Sequence, residues 1–441
     1  HSTMGQKILI IGAGKSATVL IQYLQQKAVE NDWYIVLADG DEATAKNKWN
    51  NAPNGTALGI DIKNDLNRQN LVQKADIVVS MLPAHLHFLV AKDCLEFEKP
   101  LFTASYVDDN MRSIAAAIES KQLLFLCEMG LDPGIDHMSA MAIIDEIHEK
   151  GGKITSFKSH CGGLIAPESD NNPWHYKISW NPRNIILAGK AGAIYLEKGA
   201  TVTKNYPEIF DQAPIVQLPG IGDLAYYPNR NSLSYIETYH LQGVKDFVRT
   251  TLRYPAFCIG WNAIVQLQLT DETVIDLAPN TTVQNWFEKH IQQNGLKQIL
   301  EKFTQDPAIK EQLEFIGLYA STIIPSQFNS NANILQWLLE GKWKLEATDK
   351  DLVVMLHEIE YSIGDRKFKL DSSMVLTGSD AINTAMATTV GLPLAMGVCA
   401  YLKGEIKMTG LHIPIDARIY QPILKSLAEE GIVFRETLTS Y

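Results

Sequence analysis

The strongest constraint on the fold is a short glycine-rich segment between an apolar run and a helical pattern. Residues 6–11 predict a buried strand, and residues 17–29 have helical spacing. In a G-x-G-x-x-A pattern the first glycine permits a tight turn, and the second lets a pyrophosphate approach the backbone. This context favours a dinucleotide-binding turn over a ligand-free turn of the same shape. The pattern consists of Gly12, Ala13, Gly14, Lys15, Ser16 and Ala17.

Strands and helices alternate through the first 130 residues. Further apolar runs predict strands at 34–38, 76–82, 100–104 and 123–126. Such alternation is typical of the α/β class, and here it predicts a Rossmann-type, doubly wound parallel sheet.

The regular alternation of predicted strands and helices ends after this region. We predict a dinucleotide-binding domain over 4–130, completed by about 381–441. A second α/β domain is expected over 131–270 and 345–380, with a hairpin turn at Ile363-Gly364-Asp365. Residues 271–344 have mostly helical patterns and predict a small helical domain. The residues before Met4 resemble an expression-tag remnant.

The composition limits the kinds of partner that this protein is expected to bind. The formal net charge of the 441 residues is −11, which argues against nucleic acid or an anionic membrane as the main partner. The five cysteines form no CxxC pair and the histidines have no ligand spacing, so we expect neither disulfides nor a metal. A cytoplasmic protein is expected. We find no apolar run of membrane-spanning length.

Asp39 follows the second predicted strand, 25 residues after Gly14. An acid at this place can accept hydrogen bonds from ribose hydroxyls and repel a 2′-phosphate, so it favours NAD, with NADP as a possible cofactor. The alternative is an ordinary loop aspartate in the acidic run 39–42.

Three other residues are candidates for substrate contacts. Asp132 precedes Pro133 near a strand end, where its carboxylate either faces a ligand crevice or caps the next helix. Arg230 and Arg253 are candidates for binding carboxylates through their planar donors, although a single arginine is more often a solvated surface residue.

Several segments together resemble one family, the saccharopine dehydrogenases of the glutamate-forming kind. The resemblance extends in order over nearly the whole chain. It rests on segments 80–83, 103–106, 130–137, 161–163, 172–180, 227–230, 251–254 and 385–391.

This resemblance implies a fold and an activity. The fold is a Rossmann domain, a second α/β domain with dimer contacts and a small helical domain, in a homodimer. The activity interconverts saccharopine with L-glutamate and 2-aminoadipate 6-semialdehyde by hydride transfer with NAD(P). Fungal members have an arginine, suited to NADP, where this chain has Asp39.

The resemblance also implies site residues. Asp132 would stabilise charge on the reacting nitrogen and Tyr106 would order water or transfer a proton; Cys161 either lines the site or is a structural thiol. The expected substrate contacts are Ser105, Tyr106, Asp132, Arg230, Thr251, Leu252 and Arg253. The expected cofactor contacts are the Gly12–Ala17 turn with Thr18, Asp39, Ser80, Met81, Leu82, Thr103, Ala104, Leu131, Asp132, Pro133, Ser179 and Trp180.

Two other functions are compatible with the sequence. One is a related reductase of a carboxylated polyamine imine, which needs fewer carboxylate contacts. The other is an NAD-sensing protein without catalytic activity, against which Asp132, Arg230 and Arg253 count.

Overall fold

The computed structural model describes residues 5–441, so the predicted tag remnant lies outside the described residues. The chain forms two compact units. Unit 1 consists of the chain up to Gly151 together with Ile382–Phe434, and unit 2 consists of Gly152–Ala381 with Arg435–Tyr441.

The strands of the two units are numbered in chain order. They are β1 Lys7–Ile11, β2 Tyr34–Asp39, β3 Gly55–Gly59, β4 Ile77–Ser80, β5 Leu101–Thr103, β6 Leu124–Leu126, β7 Lys153–Ile165, β8 Ala193–Glu197, β9 Ala200–Lys204, β10 Ile215–Leu218, β11 Gly222–Pro228, β12 Arg230–Asn231, β13 Asp246–Arg253, β14 Asp351–Ile363, β15 Arg366–Thr377, β16 Gly410–His412 and β17 Arg435–Ser440.

The α-helices are numbered in the same way, and short 3-10 helices occur at Lys15–Ala17, Pro167–Ser169 and Tyr206–Glu208. The α-helices are α1 Thr18–Asn31, α2 Glu42–Trp49, α3 Asp65–Lys74, α4 Ala84–Glu96, α5 Asp109–Ser113, α6 Ala115–Ser120, α7 Ile135–Glu149, α8 Pro182–Leu187, α9 Ser234–Thr238, α10 Pro255–Gln266, α11 Val283–Gln293, α12 Lys297–Thr304, α13 Pro307–Phe315, α14 Asn331–Lys342, α15 Ala385–Leu402 and α16 Ala417–Glu429.

Unit 1 is built on a parallel sheet with the strand order β16-β6-β5-β4-β1-β2-β3. The central strand β1 is almost wholly apolar because it is hydrogen-bonded to β2 and β4 and buried in the core. This confirms the predicted Rossmann-type sheet. The sequence analysis missed the two edge strands, β3 and β16, because one is only partly buried and the other is three residues long.

Helix α15 corrects an expectation about membranes. It is 18 residues long, has a mean hydropathy of 1.6 and is therefore long and apolar enough to cross a bilayer, contrary to the sequence analysis. However, 78% of this segment is buried, and the helix packs against α1 and α16. A helix that is apolar on all sides is expected in the core of a large domain, so its composition is weak evidence for a membrane span.

The units divide the chain differently from the sequence-based domains. Helix α7 lies in unit 1, where it packs against α16, although residues 131–150 were assigned to the second domain. Strand β17 joins unit 2 through its pairing with β15. Both differences arise from long-range packing, which has no local sequence pattern.

Unit 2 contains a mixed sheet whose main order is β10-β11-β13-β7-β14-β15-β17. Strands β13 and β7 are parallel, whereas β14 is antiparallel to both β7 and β15. Gly364 has a φ of +58° in the turn between β14 and β15, which confirms the predicted hairpin.

The helical segment 271–344 does not form a separate compact unit. Its apolar residues Trp286, Leu313 and Trp343 share one buried core with Trp174 and Trp261, which precede the segment in the chain. The rings of Trp174 and Trp343 are 5.2 Å apart in an edge-to-face arrangement. The shared core explains why these helices cluster with the rest of unit 2.

Candidate active site

The glycine-rich turn of unit 1 has the geometry that its sequence predicted. Gly12 has a φ of +110°, and its N–H donates to the Ala38 carbonyl over 2.8 Å. A Cβ at Gly12 would lie 3.0 Å from the Cβ of Met81, whereas a Cβ at Gly14 would meet nothing within 4 Å. The turn is therefore closed on the β4 side and open at Gly14, where a pyrophosphate needs access to the backbone.

The start of α1 adds a positive charge that the sequence analysis missed. Residues Lys15–Ala17 form a 3-10 turn, and the Thr18 hydroxyl donates to the Lys15 carbonyl over 3.1 Å. The Lys48 ammonium, from α2, donates to the Thr18 hydroxyl. Burial, and then the charge of Lys15, lowers the pKa of Lys48. A dinucleotide phosphate would relieve the repulsion between these lysines, so the turn suits an anionic group.

Asp39 is held at the end of β2 by two backbone groups. Its Oδ2 accepts from the Ala13 N–H over 2.7 Å, and its Oδ1 accepts from the Asp41 N–H over 2.8 Å. The carboxylate therefore contacts the glycine-rich turn itself, which an ordinary loop aspartate has no need to do. This places a negative charge beside the turn.

A cavity of about 290 Å³ lies at the carboxyl ends of the strands next to Asp39. Its walls are mostly apolar, with a single carboxylate, and its size and lining suit the flat adenine ring of a dinucleotide. Only Leu82 of its lining was predicted, because the strand β3 that leads to Ile60 was missed. The cavity is lined by Ile11, Gly40, Ile60, Asp61, Ile62, Leu82 and Leu86.

The predicted cofactor residues Ser80 and Thr103 lie at the ends of the neighbouring strands β4 and β5. The Thr103 hydroxyl donates to the Ser80 carbonyl over 2.9 Å and accepts from the Ser105 N–H over 3.2 Å. The Ser80 hydroxyl shares a 2.9 Å hydrogen bond with Nδ1 of His87, which is 4% exposed. Burial lowers the pKa of His87 to about 4, so its ring is neutral at pH 7.

The segment with Asp132 lies between β6 and α7. Helix α7 begins at Ile135 and its N-cap residue is Gly134, so the interpretation of Asp132 as the helix cap is wrong. The N–H groups of Gly134 and His137 donate to Asp136 Oδ1 instead, over 2.7 and 2.8 Å.

Tyr106, the other predicted catalytic residue of unit 1, lies in the loop that follows β5 and is 38% exposed.

Arg253, at the end of β13 in unit 2, is a guanidinium without an anionic partner. Among residues 5–441 it forms no ion pair; its Nη1 donates to the Leu252 carbonyl over 2.9 Å and its Nε is buried without a hydrogen-bond partner. The aromatic rings of Tyr176 and Phe257 lie 5.4 and 5.7 Å from the guanidinium carbon. Burial raises the pKa of both Tyr176 and Tyr227, so neither phenol provides a negative charge. A carboxylate ligand would complete this site.

Arg230 lies at the other end of the same region of the sheet. Ala225 pairs with Arg253, and Arg230 is the fifth residue after Ala225, a distance of at most roughly 16 Å of extended chain. Arg230 has a φ of +52°, a conformation that is uncommon for a side chain of this size. The two arginines are therefore not adjacent in the backbone.

Close strand packing surrounds Thr251 and Cys161, which are paired in register between β13 and β7. A Cβ at Gly162 would come within 2.2 Å of the Leu252 carbonyl oxygen, so this approach requires glycine. Cys161 is buried, as are the other four cysteines, and none of the five forms a disulfide among residues 5–441. Trp180, predicted to contact the cofactor together with Ser179, is 37% exposed.

Residues 5–441 contain no cluster of three metal-ligating side chains.

Comparison with known proteins decides the family. Residues 8–126 match the model described as Saccharopine dehydrogenase NADP binding domain, and residues 130–432 match Saccharopine dehydrogenase C-terminal domain. The chain belongs to the saccharopine dehydrogenase family. The Saccharomyces cerevisiae relative named saccharopine dehydrogenase [NADP(+), L-glutamate-forming] is 31% identical and covers 98% of this chain and 99% of its own length.

Solved structures agree with this assignment. The apo saccharopine dehydrogenase (L-Glu forming) from Saccharomyces cerevisiae matches 99% of this chain and 100% of its own with a TM-score of 0.91 at 27% identity. A homospermidine synthase from Legionella pneumophila in complex with NAD has a TM-score of 0.60 at 9% identity, a likeness of fold alone.

Longer relatives also match. The mouse alpha-aminoadipic semialdehyde synthase is 32% identical over 98% of this chain but only 48% of its own length, and the Arabidopsis thaliana protein of that name is covered to 44%. The chain thus spans about half the length of these relatives.

The family assignment and the turn geometry make unit 1 of this saccharopine dehydrogenase family member a nicotinamide-dinucleotide-binding unit. The name of the family model and those of the fungal relatives specify NADP, whereas Asp39 predicted NAD. The names therefore favour NADP over the predicted cofactor.

The buried His87 makes stability depend on pH. The unfolded histidine takes up a proton below about pH 6.5, but the native ring stays neutral down to about pH 4, so stability falls on acidification through this window. Replacing His87 by Asn keeps a hydrogen-bonding group near Ser80. The loss of unfolding free energy between pH 7 and pH 5, measured by urea denaturation, should be about 2 kcal/mol smaller in His87→Asn.

The exposed His148, near the end of α7, provides the control. His148→Asn should leave the pH dependence of the wild-type protein unchanged. If the stability of His87→Asn and of the wild type depends on pH in the same way, the pKa of His87 is not lowered in the native state.

Proposed function

We propose that this chain is an NAD(P)-dependent oxidoreductase that interconverts saccharopine with L-glutamate and 2-aminoadipate 6-semialdehyde, by oxidation at a CH–NH bond. The observation that supports this most directly is the unpaired guanidinium of Arg253 in a member of this family. Arg253 is half-buried and its Nε lies out of contact with solvent, and a cation held in this way without a counter-ion is costly unless a ligand supplies the negative charge. Saccharopine, with three carboxylates, is such a ligand.

The glycine-rich turn provides the place for a dinucleotide. A nicotinamide dinucleotide bound there would supply hydride transfer from, or to, the carbon next to the substrate nitrogen. Gly12, Gly14 and the first turn of α1 would hold the pyrophosphate, and the apolar cavity beside Gly40 would hold the adenine ring.

Two side chains of unit 1 have proposed catalytic roles. The carboxylate of Asp132 would stabilise the positive charge that develops on the nitrogen during oxidation. The exposed phenol of Tyr106 would order the water that releases glutamate, or transfer its proton. Ser105, next to Tyr106, is a proposed substrate contact.

In unit 2 the proposed role is recognition of carboxylates. Arg253 offers an Nε–H without a partner, and Thr251 lies on the same strand. The separation of Arg230 from Arg253 along the sheet favours a substrate with carboxylates at both ends over a polyamine derivative with fewer negative charges.

The experiment is an assay of saccharopine oxidation in the wild-type protein and in Arg253→Met. Methionine keeps much of the volume but cannot donate to a carboxylate, so kcat/KM for saccharopine should fall by about 10- to 100-fold. Binding of NADH, followed by its fluorescence, should change little.

The matched control is Arg249→Met on the same strand, where the guanidinium lies 4.2 Å from the Tyr235 ring. This variant should keep the wild-type KM. Turnover of a carboxylated polyamine imine but not of saccharopine would reject the proposed substrate, and an unaffected Arg253→Met would remove Arg253 from the binding site.

For the cofactor we propose a preference for NAD, on the basis of Asp39. Its carboxylate is already held by the Ala13 N–H beside the turn, and a 2′-phosphate at this place would be repelled. The wild-type kcat/KM should be higher with NADH than with NADPH, and Asp39→Arg should reverse the order. Asp39→Asn, which removes only the charge, should narrow the difference. Equal efficiency of the wild type with both cofactors would contradict this proposal and agree with the names of the relatives.

We also propose a cytoplasmic homodimer, because the chain resembles dimeric family members throughout its length and none of its five cysteines forms a disulfide among residues 5–441. The net charge of −11 supports neither nucleic acid nor an anionic membrane as a partner. Light scattering on the purified protein should give twice the chain mass of 49.1 kDa, and a monomer mass at micromolar concentration would reject the dimer.

A further inference from the structure

One buried carboxylate, that of Glu128, connects two loops of unit 1. Glu128 lies two residues after the end of β6, is 4% exposed and has a φ of +58°. A left-handed conformation at a residue with a long side chain is uncommon, and it is maintained only where the surrounding contacts hold it.

The first contact of Glu128 is with the loop that follows β5. The Glu128 N–H donates to the Ser105 carbonyl over 2.9 Å, and the carboxylate Oε2 accepts from the Val107 N–H over 3.4 Å. These bonds lie on either side of Tyr106. The position of the Tyr106 backbone therefore depends on Glu128.

The second contact is with α7. Carboxylate Oε1 lies 2.9 Å from Nε2 of His137, whose side chain is fully buried in the first turn of the helix. The N–H groups of Ile135 and Asp136 donate to the carbonyls of Gly130 and Leu131 over 2.8 and 3.1 Å. The start of α7 thereby holds the segment that contains Asp132.

We propose that the Glu128 bridge, defined as the Val107 N–H, the Glu128 carboxylate and the His137 imidazole, is a positioning device that holds Tyr106 and Asp132 in their reactive places. The inference rests on the proposed function of those two residues. It predicts that the bridge affects kcat more strongly than the affinity for the dinucleotide. The bridge has no contact with the glycine-rich turn or with Asp39, which would hold the pyrophosphate and the ribose, although the loops that it holds also contain the expected cofactor contacts Thr103, Ala104 and 131–133.

The chemistry of the carboxylate suggests the variants. Both oxygens of Glu128 accept hydrogen bonds, whereas an amide accepts at one atom only, so Glu128→Gln must lose one of the two contacts. His137→Leu removes the donor at Nε2, and His137→Gln restores an N–H at nearly the same place.

We expect kcat for saccharopine oxidation to fall by roughly 10- to 100-fold in Glu128→Gln and His137→Leu, the range that follows from a misplacement of reacting groups by about 1 Å. The dissociation constant of NADH should change by a smaller factor than kcat, and His137→Gln should recover most of kcat. Combining Asp132→Asn with Glu128→Gln should cost less than the product of the single losses, because both act on the same loop.

Loss of folding stability alone would give a different result. Asp93→Asn in the same unit breaks another buried pair, in which the Asp93 carboxylate lies 2.5 Å from the Arg68 guanidinium between α3 and α4. This control should lower the melting temperature and keep the wild-type kcat. Amide hydrogen exchange should become faster at 104–107 and 130–137 in Glu128→Gln but not in Asp93→Asn.

The outcomes separate this inference from the proposed function. If the wild type does not oxidise saccharopine, the proposed function fails, and the exchange experiment alone decides whether Glu128 holds both loops. If the wild type is active, an unchanged kcat in Glu128→Gln overturns the bridge. Equal losses in His137→Leu and His137→Gln overturn it as well, because the restored donor would then have no effect.

Discussion

The parallel direction of the described strands of unit 1 is the constraint on which its site depends. The carboxyl ends of parallel strands meet at one edge of the sheet, and the loops that leave them have no strand partners for their polar groups. Buried backbone and side-chain groups need hydrogen bonds, so these loops are held by bonds to one another. Asp39 holds the glycine-rich turn, and Thr103 connects the ends of β4 and β5.

The same constraint places unusual groups beside this edge. The buried, neutral His87 is hydrogen-bonded to the Ser80 hydroxyl. Glu128 has a left-handed backbone conformation, and its carboxylate contacts both the Val107 N–H and the His137 ring. Neither arrangement is favourable for the isolated residue. Each is compatible with the fold because it satisfies polar groups of a loop that leads to predicted substrate or cofactor contacts.

Unit 2 uses a different solution around Arg253. The aromatic rings of Tyr176 and Phe257 lie beside the guanidinium. Burial raises the pKa of the Tyr176 and Tyr227 phenols, so neither carries a negative charge at neutral pH. Among residues 5–441 the Nε–H of Arg253 has no hydrogen-bond partner. A surface arginine, which was the sequence-based alternative, would be solvated.

The sequence by itself determined the features that depend on neighbouring residues. The G-x-G-x-x-A turn, the apolar strands on either side of it and Asp39 at the end of β2 lie within a few residues of the pattern that predicts them. The family resemblance was also contained in short segments in a fixed order, and the comparisons confirm it.

Only the tertiary structure decided contacts between residues that are distant in the chain. Lys48 reaches Thr18 across 30 residues, Trp174 packs against Trp343, and His137 meets Glu128 because a turn reverses the chain between them. The helix cap at Gly134, rather than Asp132, depended on where α7 begins, which is the least certain feature of any helical pattern. Such contacts are set by the packing of whole elements, and packing has no local pattern from which it can be predicted.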